Sequence, residues 1–382
     1  MMSLVAPPTL TGLLASLPAT AVRDAMAAGI ATLPEGRYLH WDQLRHLPPP
    51  PGFGHEAWWL AIKLARLAVR QGLSLPPALG GNLWFSVTGS VLARLQQLDH
   101  AAWAGTGADW PPAAARAREA AGSAALTAGA EGVDARAAAL LRVQTDADGL
   151  LGERALTVAD LQSLHRGLNA GPSAADPGLL AAICDLANAA LPLGLPLHPV
   201  VRAAALQFLL VDRRPFAAGN GRIGRLLGGW AMRRAGYPLV LAPSAALSQA
   251  PSRYRRAFAW VASDDRDLTY LIDLLLRSLL QSLAAWRDRA ARQAQSLARA
   301  EGLLGDGELN PRQRHLLAHA LAHPGHRYRI ASHRDWHGVT YQTARTDLLG
   351  LAAQGLLVPG KRGRAFVFTA PADLVARLRT RA

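Results

Sequence analysis

A succession of helical apolar patterns between residues 111 and 300 restricts the fold of this chain more than any other feature. Apolar residues recur there at the spacing of one helix face, and prolines or glycines separate the segments. The predicted helices cover residues 113–141, 157–168, 179–190, 200–212, 223–235, 252–262 and 268–300. Many helices and few strand-like runs predict a mainly α fold.

Composition excludes several other classes. Half of the 382 residues are hydrophobic, which is too apolar for a disordered chain. The single cysteine, Cys184, excludes a disulfide framework and a cysteine-based zinc site. Proline or glycine interrupts the uncharged stretches before they reach membrane-spanning length, and the first basic residue is Arg23. We therefore expect a cytoplasmic protein with no membrane partner.

Three regions differ in character. Residues 1–110 contain aromatic clusters and proline-rich turns, including a rigid connector of four prolines at 48–51. Residues 111–300 are helical by pattern. Residues 302–382 hold 12 Lys/Arg against 5 Asp/Glu, a net charge of +7 out of +14 for the whole chain. This concentration of positive charge is typical of a module that binds a polyanion.

The order of elements in residues 302–382 predicts a winged helix-turn-helix: three helices and then a hairpin with a basic turn. In that interpretation the third helix, 340–354, enters a DNA groove and the hairpin contacts phosphates. The residues suited to contact DNA are Tyr341, Gln342, Thr343, Arg345, Lys361, Arg362 and Arg364. The alternative is a protein-interaction or dimerisation module with the same fold.

The most informative segment is Arg214-Pro-Phe-Ala-Ala-Gly-Asn-Gly-Arg-Ile-Gly-Arg225. Gly219, Asn220 and Gly221 form a turn whose backbone N–H groups can converge on an anion, and a helix starts directly after it. Arg222 and Arg225 are three residues apart on that helix, so both can reach one phosphate chain. The alternative is an arginine-rich helix cap with a solvated face.

This segment resembles the signature of the Fic (Fido-domain) family, His-x-Phe-x-Asp/Glu-Gly-Asn-Gly-Arg-x-x-Arg. The flanking segments 198–208, 236–238, 254–258 and 265–270 are similar to the neighbouring Fic helices. Segments 38–42 and 58–63 resemble the leader of one bacterial Fic subgroup, and 310–348 resembles its C-terminal winged helix. The resemblance implies a Fic-like helical core with an N-terminal leader region at 1–110 and a winged helix at 302–382.

Active members of the family transfer AMP from ATP to a protein hydroxyl. The resemblance implies that the motif histidine is the general base, that the motif acid binds magnesium, and that the glycine turn and two arginines hold the phosphates. This chain has Arg214 in place of the base and Ala218 in place of the metal ligand. A guanidinium cannot accept a proton at physiological pH, and a methyl group offers no oxygen to a cation. We therefore expect ATP rather than ATP with magnesium as the ligand.

Two further parts of an active member are altered. The resemblance implies an inhibitory Ser-x-x-x-Glu element that blocks the second motif arginine. It matches Ser123 to Thr127, with threonine where glutamate would stand and Glu131 nearby. The flap that docks the target polypeptide would fall in residues 169–176, which are short and turn-like. His315, His319 and His323 share one helix face, but neither cysteine nor a nearby carboxylate completes a site, and no metal site is predicted.

These observations are compatible with three hypotheses about the function. The first is a Fic-family protein with an impaired adenylyl-transfer site that still binds nucleotide phosphates. The second is a DNA-binding regulator that uses the helical core as a sensor or as a homodimerisation scaffold. The third is an active transferase with unusual chemistry on a protein target. Within the first reading, the glycine turn is retained either for anion binding or only because it joins two helices.

Overall fold

The structure is a computed structural model of the chain. It describes residues 4–28, 37–103, 112–126, 136–140, 142–143, 154–168, 176–188, 197–237, 243–304, 309–322, 325–362 and 365–379. The prediction of a mainly helical fold is confirmed. Among the described helices, none combines the length and the hydropathy that a bilayer crossing requires. The chain divides into two compact units, Met1–Ala284 and Ala285–Ala382.

Unit 1 is built from helices and one short hairpin. In chain order its elements are α1 (Leu10–Ser16), α2 (Ala19–Ala28), α3 (Trp41–Leu44), α4 (His55–Ala68), β1 (Arg70–Leu73), β2 (Leu83–Ser86), α5 (Gly89–Trp103), α6 (Pro112–Ala125), α7 (Val158–Leu168), α8 (Pro177–Asn188), α9 (Pro199–Arg213), α10 (Asn220–Arg234), α11 (Pro243–Leu247), α12 (Pro251–Ser263) and α13 (Thr269–Leu304). A single 3₁₀ turn, Pro77–Leu79, lies between the two strands. Helix α13 ends within the range of unit 2.

The aromatic residues near the N-terminus form a core around α4. Trp58 and Trp59 are buried, together with aliphatic residues of α1 and α2 that pack against the same helix. The sequence of residues 56–70 has a helical apolar pattern, but α4 ends at Ala68 because Arg70 already pairs with Ser86 in the antiparallel β1–β2 hairpin. The first strand of this hairpin was not predicted, since its sequence Arg-Gln-Gly-Leu has no strand-like alternation.

Capping side chains near the helix starts explain where the central helices begin. Thr157 and Asp160 cap α7 reciprocally: the Thr157 hydroxyl accepts from the Asp160 N–H at 3.2 Å, and Asp160 accepts from the Thr157 N–H at 3.0 Å. The Asp267 carboxylate accepts from the Thr269 N–H at 3.0 Å and so caps α13. Helix α6 ends at Ala125, and residues 127–135 of the helix predicted over 113–141 lie outside the described part of the chain.

The described residues of unit 2 form the end of α13, three further helices, a three-stranded antiparallel sheet and a last short helix. Its elements are α14 (Pro311–Ala322), β3 (Arg327–Arg329), α15 (Ile330–His337), α16 (Tyr341–Ala353), β4 (Val358–Arg362), β5 (Ala365–Thr369) and α17 (Leu374–Arg379). Strand β5 lies between β3 and β4. The three predicted helices and the hairpin are present, and the sheet gains β3, whose three residues are too short to show a strand pattern.

Candidate functional site

The turn between α9 and α10 is stabilised by hydrogen bonds from one of its own side chains. Helix α9 ends at Arg213, and its C-cap residue, Arg214, adopts a left-handed conformation with φ 45°. Gly219 has φ 80° and precedes the first residue of α10, a conformation that favours glycine. The Asn220 amide then bonds twice to Phe216, accepting from its N–H at 3.1 Å and donating to its carbonyl at 2.7 Å. The turn is therefore internally hydrogen-bonded.

A buried histidine supports this turn from α7. The His165 ring stacks on Phe216 with centroids 4.0 Å apart and planes 7° apart. Its Nε2 lies 3.0 Å from the Ala218 carbonyl oxygen. A carbonyl only accepts, so Nε2 carries the proton. Burial lowers the pKa of His165, although the bond to Ala218 acts in the opposite direction. The neutral ring therefore fixes the position of residues 216–218.

Sequence reasoning missed His165. Its signal was present, because it lies in the last turn of α7 beside the apolar positions Leu161, Leu164 and Leu168, all of which are buried. A histidine on an apolar helix face needs a polar partner. The sequence did not show that this partner would be a carbonyl 53 residues further along the chain.

Arg214 and Ala218 stand at the two positions that the resemblance assigns to the general base and the metal ligand. The Arg214 side chain is exposed at the end of α9, and it makes no hydrogen bond or ion pair with any residue in the described ranges. Ala218 is exposed and carries only a methyl group, while its carbonyl is held by His165. The residues at these positions do not fit a magnesium ion. His198, at the opposite end of α9, caps that helix through the Val200 N–H.

The two motif arginines are buried and hold different parts of the unit. Arg222 donates from Nη1 to the carbonyl of Leu168, the last residue of α7, at 3.2 Å. Arg225 donates from Nε to the Ser123 hydroxyl at 2.7 Å and from Nη2 to the Ser123 carbonyl at 2.8 Å. Exposed fractions of 7% and 6% show that little of either side chain meets solvent. Oxygens of the protein therefore accept hydrogen bonds from both guanidinium groups.

Gly221 and Arg225 come close together on the first turn of α10. A Cβ atom at position 221 would lie 3.3 Å from Nη1 of Arg225. The guanidinium also lies 5.8 Å from the centre of the Tyr254 ring. The structure thus places the glycine turn and the second motif arginine next to each other.

Helix α6 is held firmly at the point where it contacts Arg225. A Cβ atom on Gly122 would lie 2.5 Å from the backbone of Ser244 and Ala245 in α11. Glu119 accepts hydrogen bonds from the Ser244 backbone and hydroxyl, and burial raises the pKa of this carboxyl group.

Ser123 is the residue that the resemblance assigns to an inhibitory element. Thr127 and Glu131 lie outside the described residues, as do residues 169–175 of the expected flap.

In unit 2 the face of α16 expected to contact DNA is solvent-exposed. Tyr341, Gln342 and Arg345 are exposed, whereas Thr343 is half-buried and its N–H donates to the Thr340 hydroxyl that caps the helix. Lys361 is exposed on β4 and lies 5.7 Å from the centre of the Phe366 ring. The side chain of Arg362 and all of Arg364 lie outside the described structure.

The opposite face of α16 is anchored by a buried carboxylate. Asp347 accepts from Nε of Arg312 and from Nδ2 of Asn310, both at 2.7 Å, and contacts His333 at 3.2 Å. These bonds lower the pKa of Asp347 even though burial acts to raise it. The apolar residues of the same face, including Leu348 and Leu351, are buried in the core of unit 2.

Comparisons with known proteins point to one family. No protein-family model matches the chain. A segment of 53 residues, 14% of this chain, is 49% identical to the protein adenylyltransferase Fic of Drosophila mojavensis. A segment of 47 residues is 51% identical to the protein of that name from Drosophila melanogaster. The chain spans about a tenth of the length of these curated relatives, 11% and 10% respectively.

Two solved structures are similar in shape at low sequence identity. A Fic family protein from Desulfovibrio desulfuricans has a TM-score of 0.43 and 16% identity, and the match covers 78% of this chain and 98% of that one. The structure of IbpAFic2 has a TM-score of 0.39 and 18% identity, and the match covers 68% and 86% of the two chains. The sequence matches confirm the resemblance to the Fic family: over segments of 47 to 53 residues this chain is similar to the adenylyltransferases named Fic.

Proposed function

We propose that this chain is a Fic-related protein with an impaired adenylyl-transfer site that keeps a phosphate-binding turn. The observation that carries the proposal is Arg214, which stands at the position of the motif base and is an exposed, permanently charged side chain. In this proposal residues 1–110 form a leader region, 111–300 the Fic-like domain and 302–382 a winged helix. The protein is cytoplasmic, and its ligand is ATP or a related nucleotide.

The expected loss of activity is large. Removing a general base typically lowers a rate by roughly 10²–10⁴-fold. Ala218 removes the carboxylate that would hold a metal ion, so a second contribution to charge stabilisation is lost as well. The chain's own residues nevertheless leave four groups that suit a phosphate: the backbone of Gly219 and Gly221, and the guanidinium groups of Arg222 and Arg225.

Nucleotide binding requires an exchange of partners. For Arg225 to hold a phosphate, its bonds to Ser123 must be replaced by bonds to phosphate oxygens, and the same applies to Arg222 and Leu168. The exchange conserves the number of charge-assisted hydrogen bonds. Most of the free energy of the new bonds to phosphate is therefore offset by the loss of the bonds to Ser123 and Leu168, and it does not contribute to affinity. We expect ATP to bind weakly, without a requirement for magnesium.

A titration and a transfer assay test this proposal together. Calorimetry with ATP should show saturable binding that is the same with and without magnesium, and labelled ATP should leave no label on lysate proteins. Arg225→Gln should abolish the binding, whereas Arg234→Gln, an exposed position on the same helix, should retain it. Transfer by the unaltered chain would contradict the proposal. Label transferred only by the Arg214→His, Ala218→Asp double variant would support it.

DNA binding by unit 2 is a second candidate function, with the helical core as sensor or dimerisation scaffold. The exposed face of α16 favours it: Tyr341, Gln342 and Arg345 meet solvent at one helix end while Asp347 fixes the other face. Lys361 adds a cation on the β4–β5 hairpin. An α-helix with exposed polar and basic groups of this kind can enter a major groove.

The salt dependence of DNA retention tests this candidate. Each lost phosphate contact should reduce the slope of log K against log salt concentration by about 0.9. Arg345→Ala and Lys361→Ala should each weaken binding, while Arg377→Ala, an exposed arginine of α17, should not. Equal weakening by all three variants would indicate non-specific attraction by a basic protein, and so would oppose the candidate.

A further inference from the structure

A cavity of about 130 Å³ opens at the surface of unit 1 between α12, α13 and the segment preceding α3. Its described lining contains no residue of the 214–225 motif. Three arginines and three aromatic residues dominate it: Arg37, Arg253, Arg277, Tyr38, Trp260 and Tyr270. The functions considered above do not use this cavity.

The charges of the lining favour an anion. Three arginines and one carboxylate, Asp273, line the cavity, which leaves a net charge of +2. Both oxygens of Asp273 are already engaged, since Oδ1 accepts from Nη1 of Arg94 at 2.6 Å and Oδ2 accepts from Nε of Arg277 at 2.8 Å. The carboxylate is therefore compensated and opposes an incoming anion only weakly.

Two of the arginines remain available. Neither Arg37 nor Arg253 makes a side-chain hydrogen bond or ion pair with any residue that the structure describes. Both are solvent-exposed, so they line the mouth of the cavity rather than its floor. A guanidinium presents its donors in a fixed plane that matches the geometry of a carboxylate or phosphate group. The mouth therefore holds two guanidinium groups with unused donors.

The aromatic residues Tyr38, Trp260 and Tyr270 form one wall of the cavity. Buried hydrogen bonds on the side away from the cavity fix the two tyrosines in place. The Tyr270 hydroxyl accepts from Nη1 of Arg66 at 2.8 Å and donates to Asp264 at 2.7 Å. The Tyr38 hydroxyl donates to Oδ2 of Asp267 at 2.5 Å. Because these hydroxyls are engaged in the interior, the tyrosines contribute ring surface to the cavity. Trp260, 5.9 Å from Tyr270 between ring centres, extends this surface.

The size of the cavity selects a small ligand. In other proteins an apolar cavity of about 150 Å³ accommodates benzene. The aromatic rings contact one another, with centroids 5.1 Å apart for Tyr38 and Tyr270, so a single flat ring would lie beside them while an attached anionic group reaches the arginines at the mouth. We infer that this cavity binds a small organic anion with a flat apolar body and one phosphate or carboxylate group.

Calorimetric titration of the full chain with phenyl phosphate and with benzoate tests the inference. We expect saturable binding of at least one of them, with a dissociation constant of about 1 mM or below. The tighter of the two identifies the anionic group. Inorganic phosphate should bind at least about tenfold more weakly, because it has no ring to place against the aromatic wall. Equal affinity for inorganic phosphate would overturn the role of the aromatic residues.

Matched variants separate the cavity from general basic charge. Arg253→Gln and Arg37→Gln should each weaken binding about tenfold or more, since each removes charge-assisted hydrogen bonds. Arg255→Gln, an exposed arginine on the same helix that does not line the cavity, should leave binding unchanged. All three positions are exposed, and thermal unfolding verifies that each variant folds. No saturable binding up to about 10 mM, or equal losses in all three variants, would overturn the inference.

Discussion

Replacing Ser123 by alanine should lower stability and raise the affinity for ATP at the same time. The Ser123 hydroxyl accepts a 2.7 Å hydrogen bond from the buried guanidinium of Arg225. Hydrogen bonds to charged groups contribute about 1.5–3 kcal/mol, so the free energy of unfolding should fall by roughly that amount. In a unit of this size such a loss lowers the melting temperature by very roughly 3–12 °C.

The gain in ATP affinity has the same origin. In the unaltered chain a phosphate must displace the hydroxyl, whereas in Ser123→Ala it does not. Up to about 1.5–3 kcal/mol is therefore released into binding, which corresponds to roughly a tenfold to hundredfold lower dissociation constant. Differential scanning calorimetry and isothermal titration calorimetry measure the two effects on one sample.

A buried serine elsewhere in unit 1 provides the control. The Ser278 hydroxyl donates to the carbonyl of Leu274, and it forms no hydrogen bond with an arginine in the described part of the chain. Ser278→Ala should leave ATP affinity unchanged. If Ser123→Ala were destabilised but bound ATP no better, phosphate would not be held by Arg225 and the reasoning on partner exchange would be refuted.

Three further changes test the packing and the electrostatics. Gly122→Ala should destabilise unit 1 by about 1–3 kcal/mol, because its Cβ would lie 2.5 Å from the Ser244 backbone; a gain of about 1 kcal/mol in urea unfolding, as helix propensity alone predicts, would contradict this. Burial lowers the pKa of His40 from its usual 6.5 to about 4, so its contribution to stability is complete above pH 6.5 and is lost as the pH falls from 6.5 towards 4. His40→Asn, which keeps a helix-capping side chain, should remove up to about 3 kcal/mol of this pH dependence, and parallel slopes for both proteins would argue against it. Asp347→Ala should lower the stability of unit 2 by about 3 kcal/mol, because it leaves Arg312 without its 2.7 Å partner; unchanged hydrogen exchange in residues 309–379 would oppose that result.

Helix positions were predictable from the sequence because their signals are local. Thr157 and Asp160 fixed the start of α7, and Gly338 and Gly355 mark the ends of α15 and α16 with left-handed conformations. The motif also predicted a turn at Gly219 and a helix after it, and the structure adds the left-handed conformation of Gly219. Strands β1 and β3 were missed because each owes its structure to a partner strand elsewhere in the chain rather than to its own pattern.

Some features of the candidate site were likewise predictable from the sequence, and others were not. The sequence alone showed that position 214 holds no proton acceptor and that position 218 holds no metal ligand, since these are properties of single side chains. It could not show that Arg222 would be buried against Leu168, because that partner lies 54 residues away. The contact of Arg225 with Ser123, 102 residues away, followed only from the family resemblance and not from the residues themselves.

What the sequence determined by itself was therefore chemistry and local conformation: the approximate helix limits, the glycine turn, and the side chains present at positions 214 and 218. The tertiary structure decided which groups face each other, including the stacking of His165 on Phe216 and the cavity lined by Arg37 and Arg253. The physical reason is that side-chain identity and backbone propensity act over a few residues, whereas burial and hydrogen-bond pairing depend on segments that only folding brings together.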